Sequence, residues 1–344
     1  MKAFIINKYT KAGLQLADVP DPVVGNNDVL IEVYAAGVNL LDSKIKTGEF
    51  KLMLPYKMPM ILGHDVAGIV VKTGKNATKF KVGDHVYSRP ADYHAGTFAE
   101  YIAVNEKDAA FKPKNISMNQ AASIPLAALT AWQALVELSG LKKGQKVFIQ
   151  AGSGGVGTIA IQLAKHLGAV VATTASAKSF ELLKNLGADI LIDYKTNDFE
   201  HMLKDYDVVL NSQDQKTLEK SLNVLKPHGK AVSISGPPTP EFAKEIGLPW
   251  HLSIIMSLLS FGVRNKAKKK RVNFSFLFMR AEGSQLQEIT KLIENGIIRP
   301  VVDKVFAFEQ TNQALEYVES GRAKGKVVIQ IKSENQQMHS VKPH

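Results

Sequence analysis

Residues 146–165 read Lys-Val-Phe-Ile-Gln-Ala-Gly-Ser-Gly-Gly-Val-Gly-Thr-Ile-Ala-Ile-Gln-Leu-Ala-Lys, and this stretch decides the fold. A β-prone run, Lys146–Ala151, passes directly into Gly152, Ser153, Gly154, Gly155, Val156 and Gly157, and then into a helical pattern of apolar residues. That is a GxGxxG loop between a strand and a helix. Gly152 permits a tight turn, Gly154 lets the backbone approach a pyrophosphate, and Gly157 allows close helix–strand packing. The N–H groups opening the helix supply the anion site. The competing reading is a glycine-rich turn in an α/β domain that holds no ligand.

Downstream, strand and helix patterns alternate: helix Thr158–Leu167, strand Ala169–Thr174, helix Lys178–Leu186, strands Ile190–Tyr194 and Asp207–Leu210, helix Thr217–Lys226, strands Lys230–Ser235 and Asn273–Phe278. The alternation predicts an α/β unit with a doubly wound parallel sheet. Gly168, Gly187 and Pro227 stand where three of those helices should stop. An NAD site places an acid at the end of the second strand, for the ribose 2′-hydroxyl. Here that strand ends Thr173-Thr174-Ala175-Ser176-Ala177-Lys178. Ser176 can donate to a 2′-phosphate and Lys178 can neutralise it, so NADPH is the expected cofactor. The ordinary alternative for Lys178 is a solvated first-turn lysine.

Upstream, residues 1–125 break into short strands (Met1–Asn7, Asp28–Val33, Ala67–Lys72, Asp84–Ser88, Thr97–Val104) with Gly25, Gly74 and Gly83 between them. A β-rich, barrel-like region follows. After helix Ser284–Glu294, strands Lys304–Phe308 and Lys326–Ile331 flank helix Thr311–Ser320 and are assigned back to the first domain. The expected division is therefore 1–125 with 298–344, and 126–297 as the inserted nucleotide domain. Ser333–His344 is polar and without periodicity, which predicts disorder.

Composition narrows the chemistry. Cysteine is absent, which excludes disulfides, thiolate nucleophiles and Cys-built zinc sites. With 43 Lys and Arg against 32 Asp and Glu, the net charge of +11 suits an anionic small ligand, a nucleic acid or an anionic membrane. The first residues, MKAFIINKYT, form neither a signal peptide nor a transit segment, so a cytoplasmic address is expected.

GHDVAG at Gly63–Gly68, AAGVNLLD at Ala35–Asp42, QAGSGGVGTIAIQLAK at Gln150–Lys165, LGADILIDYK at Leu186–Lys195 and SGRAKGKVVI at Ser320–Ile329 resemble the medium-chain dehydrogenase/reductase superfamily, in its quinone oxidoreductase branch. FSFLFMRAEGSQL at Phe274–Leu286 is similar to the reticulon-interacting mitochondrial and chloroplast-envelope quinone oxidoreductases. His228 departs from the family's Pro-Gly-Gly turn. The resemblance implies a GroES-like β-barrel catalytic domain, a Rossmann nucleotide domain, an active site in the cleft between, and a homodimer. Tyr194 would join Ser176 and Lys178 at the 2′-phosphate, Thr130 would pack near the nicotinamide, and Asn211, Phe278 and Lys324 would close the cofactor channel. The zinc-ligand places of the superfamily's alcohol dehydrogenases fall on Asn39, His64 and Leu126. Two of the three cannot serve, so no metal is expected.

Without metal or thiol, the acceptor must already be electron-poor, as a quinone or an α,β-unsaturated carbonyl is. Asn39 and Asp42, on the loop the family places beside the nicotinamide, and Tyr56 and Tyr93 are the candidate catalytic groups. His94 or solvent would supply the proton. The loop pair could instead bond its own backbone, and the tyrosines could be structural. Two rivals stay open: a zinc-type alcohol dehydrogenase-like protein, and an NADPH-binding protein that associates with RNA or a membrane surface through Arg264–Arg271. Leu248–Val263 is too short to span a bilayer. At helical spacing Trp250, Leu252, Ile255, Met256 and Leu259 would form one face of a short helix against a lipophilic acceptor, with the basic run in solvent.

Overall fold

The computed structural model describes residues 1–334 and contains two compact units, Met1–Leu129 with the chain from Arg280 onward, and Thr130–Met279. Most of the expected disordered tail, from residue 335 on, lies outside the described residues.

The unit Thr130–Met279 carries six parallel strands in the order Ile190–Asp193, Val170–Ala175, Lys146–Ile149, Tyr206–Asn211, Leu225–Ser233, Asn273–Phe276. The strand order reverses between Lys146–Ile149 and Tyr206–Asn211, the switch point at which doubly wound sheets take up ligands. Phe148, Ala172, Val209, Leu218 and Val263 belong to its core. The near-continuous apolar strands follow from helices covering both faces. Gly168 does stop the first helix: at φ 80° it lets Ala169 N–H reach back to Ala164 O at 3.0 Å. Pro227 does not act as expected. The helix runs only over Gln215–Ser221, and Pro227 already lies within the strand Leu225–Ser233.

The other unit is built on a seven-stranded sheet, with Val302–Ala307, Lys326–Gln330, Asp28–Val38, Asp65–Thr73, His85–Ser88 and Ala109–Phe111 in order and Tyr101–Asn105 also paired to Asp28–Val38. Lys326–Gln330 pairs antiparallel with Asp28–Val38, Val327 opposite Val38, so the C-terminal strands do return to this unit. The return begins near residue 280, earlier than the 298 expected. The helix Gly283–Glu294 belongs here because Tyr87 donates from its hydroxyl to Leu286 O at 2.8 Å and Thr290 donates to Phe111 O at 3.0 Å.

Candidate functional site

In the unit Thr130–Met279 the strand Lys146–Ile149 delivers the glycine loop to the helix Gly155–His166. A Cβ on Gly152 would come 2.2 Å from Thr173 Oγ1, and one on Gly157 would come 2.5 Å from Ala151 O. Both positions therefore need glycine for close packing. At Gly154 the only neighbour of such a Cβ is Ala151 O at 3.4 Å, so the backbone there stands open. Gly154 is the N-cap and makes no side-chain cap bond, which leaves the first N–H groups and the positive dipole end to an external anion. Ser153, Gly155 and Val156 form the rest of that rim. These residues fit a bound dinucleotide, whose pyrophosphate would lie on the helix start.

Register brings the 2′-phosphate candidates together. Ala175 pairs with Asp193, so Ser176 and Tyr194, each the next residue, leave the sheet side by side at its carboxyl edge. Ser176 makes no side-chain cap bond, Tyr194 is 61% exposed and Lys178 is exposed. The nearby acid, Asp193, is engaged locally, accepting from Lys195 N–H at 3.0 Å. Asn211 is placed differently from the expectation. It is fully buried, donates to Gln150 Oε1 at 2.6 Å and accepts from Ser233 Oγ at 2.7 Å, tying three strand ends together. Thr130 is buried, and the Phe278 ring stands 5.7 Å from that of Phe242.

In the other unit, Asn39 caps the helix Leu40–Thr47, and Asp42 closes it by accepting from Asn39 N–H at 2.8 Å. The second Asp42 oxygen receives His64 Nδ1–H at 2.5 Å, with both side chains wholly buried. The Asn39 amide donates to Asp65 Oδ2 at 2.9 Å and accepts from Lys326 Nζ, which also pairs with Asp65 at 2.9 Å. Asp65 Oδ1 takes the Leu126 N–H at 2.6 Å. Both side chains are thus engaged in a buried network, Asp42 on its own loop's backbone and on His64, Asn39 on Asp65 and Lys326.

Tyr56 has the opposite character. Its hydroxyl is buried with no hydrogen-bond partner, its ring stacks obliquely on Tyr93 at 5.5 Å, and burial, reinforced by Asp92, pushes its ionisation far above the usual tyrosine range. It stays protonated, the rise being opposed only in part by Arg89 and the Tyr93 backbone, and its hydrogen is donated to no protein group. Arg89 lies beneath, 1% exposed, bonded to Asp92 at 2.5 Å and to Pro90 O at 3.1 Å. Tyr93 is exposed, with φ 66°, and His94 is exposed. Lys324 is half-buried just before the strand Lys326–Gln330. Sequence reasoning missed Asp65, Arg89 and Lys326, although a lysine opening an apolar β-run was a readable sign of a paired buried charge.

Of the three metal-ligand places, Asn39 is spent on Asp65 and Lys326 and Leu126 has no side-chain ligand atom, so His64, with Nδ1 held by Asp42 and Nε2 buried without a partner, stands alone and the set does not suit zinc. No group of three or more His, Cys, Asp or Glu suited to a metal occurs among the described residues.

A glycine-loop Rossmann unit and a GroES-like β-domain in one chain are the two parts of a nicotinamide-dependent oxidoreductase. Family profiles agree, one described as alcohol dehydrogenase GroES-like domain over residues 25–114 and one as zinc-binding dehydrogenase over 186–329. The chain is 34% identical to the mitochondrial NAD(P)H oxidoreductase RTN4IP1 of Danio rerio, over 96% of this chain and 91% of that one. It is 35% identical to the chloroplastic NADPH-dependent alkenal/one oxidoreductase of Arabidopsis thaliana, over 96% and 79%. The quinone oxidoreductase of Coxiella burnetii superposes with a TM-score of 0.83 at 30% identity, covering 96% of this chain and 99% of that one. This chain belongs to the quinone and alkenal oxidoreductase branch of the medium-chain dehydrogenase/reductase superfamily.

Proposed function

We propose that this protein is an NADPH-dependent, zinc-free reductase that transfers hydride to a quinone or an α,β-unsaturated carbonyl. The observation that carries the reading is the carboxyl edge of the parallel sheet. An uncapped helix start behind an open Gly154 adjoins a pair, Ser176 and Tyr194, that offers donors where an NAD site would have an acid. The bound cofactor supplies the hydride. The protein must hold the pyrophosphate, recognise the 2′-phosphate, and stabilise negative charge on the acceptor oxygen as hydride adds to carbon. Gly152–Gly157 serves the first task and Ser176, Lys178 and Tyr194 the second. Tyr56, a buried protonated donor without a partner, serves the third; the final proton comes from solvent or His94. Thr130, Phe278 and Lys324 remain proposed cofactor neighbours.

A homodimer is the assembly we infer from the family. Relatives of this chain are named for mitochondria and for chloroplasts. No helix among the described residues is long and apolar enough to cross a membrane.

Lys178→Ala tests the cofactor assignment. Losing a charge-assisted phosphate contact should cost about 1.5–3 kcal/mol in NADPH binding while leaving NADH binding unchanged, as titration of each cofactor would show. Equal weakening of both would remove Lys178 from the phosphate site. Consumption of NADPH by a benzoquinone and a long-chain enone, undiminished by a chelator, is the expected activity.

A further inference from the structure

The helix Trp250–Lys269 is not the short helix expected, and its faces are not as expected either. The inward row is Met256, Ser260, Val263 and Ala267, spaced i, i+4, i+7, i+11. The opposite row, Trp250, Ile254, Leu258 and Phe261, is also apolar and stands 75%, 51%, 73% and 62% exposed. Ile255 and Leu259 widen it. A helix apolar on both sides for three turns lacks a partner on one of them, and a contiguous apolar patch marks an interaction surface.

The same outer face then changes to Asn265, Lys268 and Lys269, followed by Lys270 and Arg271, all exposed. Arg264 is excluded, since it folds back onto Ser257 Oγ at 2.8 Å. The partner must therefore offer an apolar medium and negative charge side by side along one helix. We propose that this face docks on an anionic phospholipid surface, with the Trp250–Phe261 row below the headgroups and the lysines at the phosphates. Cations near such a surface gain from its negative potential. A second copy of the chain would cover the apolar row, yet residues 250–271 contain no acid, so pairing these helices would bring cations together without counter-charge.

The test is sedimentation of the full chain with vesicles of phosphatidylcholine alone or mixed with phosphatidylglycerol. The protein should bind the mixed vesicles and be released by salt. Lys268→Gln with Lys269→Gln should weaken partitioning by about 25-fold, roughly fivefold for each charge removed. Leu258→Ser with Phe261→Ser should weaken it at least as much, with melting temperature and NADPH oxidation unchanged. Failure to bind mixed vesicles overturns the proposal. Binding that survives the apolar substitutions and is matched by single-stranded RNA overturns it too, because cations alone would then suffice. A dimer that Leu258→Ser with Phe261→Ser converts to monomers, without vesicle binding, would assign the face to a second copy.

Discussion

Tyr56 and Lys326 are both buried polar groups, with opposite consequences. The Tyr56 hydroxyl has no partner in the protein, so removing it costs the fold little. If it meets the acceptor oxygen, Tyr56→Phe should lower kcat by about tenfold, on the order of 1.4 kcal/mol of lost hydrogen bonding, with NADPH affinity and melting temperature preserved. Unchanged kcat in steady-state assays would remove Tyr56 from the chemistry. Lys326 is paired with Asp65 and Asn39, and Lys326→Met would leave the Asp65 carboxylate uncompensated. A loss of about 3–5 kcal/mol is expected in urea unfolding, partly restored by adding Asp65→Asn, which removes the stranded charge. A double variant no more stable than Lys326→Met would show that the ion pair is not the reason.

At the scale of elements, the helix Trp250–Lys269 separates what sequence shows from what it hides. Met256, placed by periodicity on a substrate wall, is 5% exposed and faces its own domain. Met256→Lys should therefore depress the melting temperature sharply, since an unpaired charge would be buried; a variant that melts like the parent would return Met256 to the surface. The glycine loop was legible because its strand, turn and helix are contiguous and each glycine answers a local steric need. The acid-free end of the second strand at Ser176 was legible in the same way, whereas Tyr194 entered only through the family resemblance. The Trp250 helix was not legible, because an apolar residue every three or four positions on two faces gives no sign of which face turns inward. The buried network around Asn39 and Asp42 was hidden for a related reason. Asn39 meets Asp65 and Lys326, and Asp42 meets His64, only because Asp28–Val38 pairs with Asp65–Thr73 on one side and with Lys326–Gln330 on the other.

Over the molecule as a whole, buried phenols set how stability depends on alkaline pH. Tyr87 is wholly buried, its hydroxyl bonded to Leu286 O and Thr290, and Tyr56 is largely buried. Burial raises the ionisation of both well above the ordinary value of 10.0. In the unfolded chain both titrate normally, so above about pH 10 the unfolded state sheds protons that the folded state keeps. Their contribution is fully present below that pH and is lost as pH rises toward the folded values. For each phenol the slope approaches about 1.4 kcal/mol per pH unit once the unfolded one has ionised and the folded one has not. Lysine titration acts in the other direction, relieving the self-repulsion of a chain that carries +11 at neutral pH. A single stability curve would therefore mix the two effects, and Tyr87→Phe separates them, since variant and parent share every lysine. Tyr87→Phe should be less stable at pH 8 by about 1–2 kcal/mol, for the lost hydrogen bonds, with the gap closing as urea unfolding is followed from about pH 9 to about pH 11. A gap that stays constant across that range would show that Tyr87 ionises normally in the folded state.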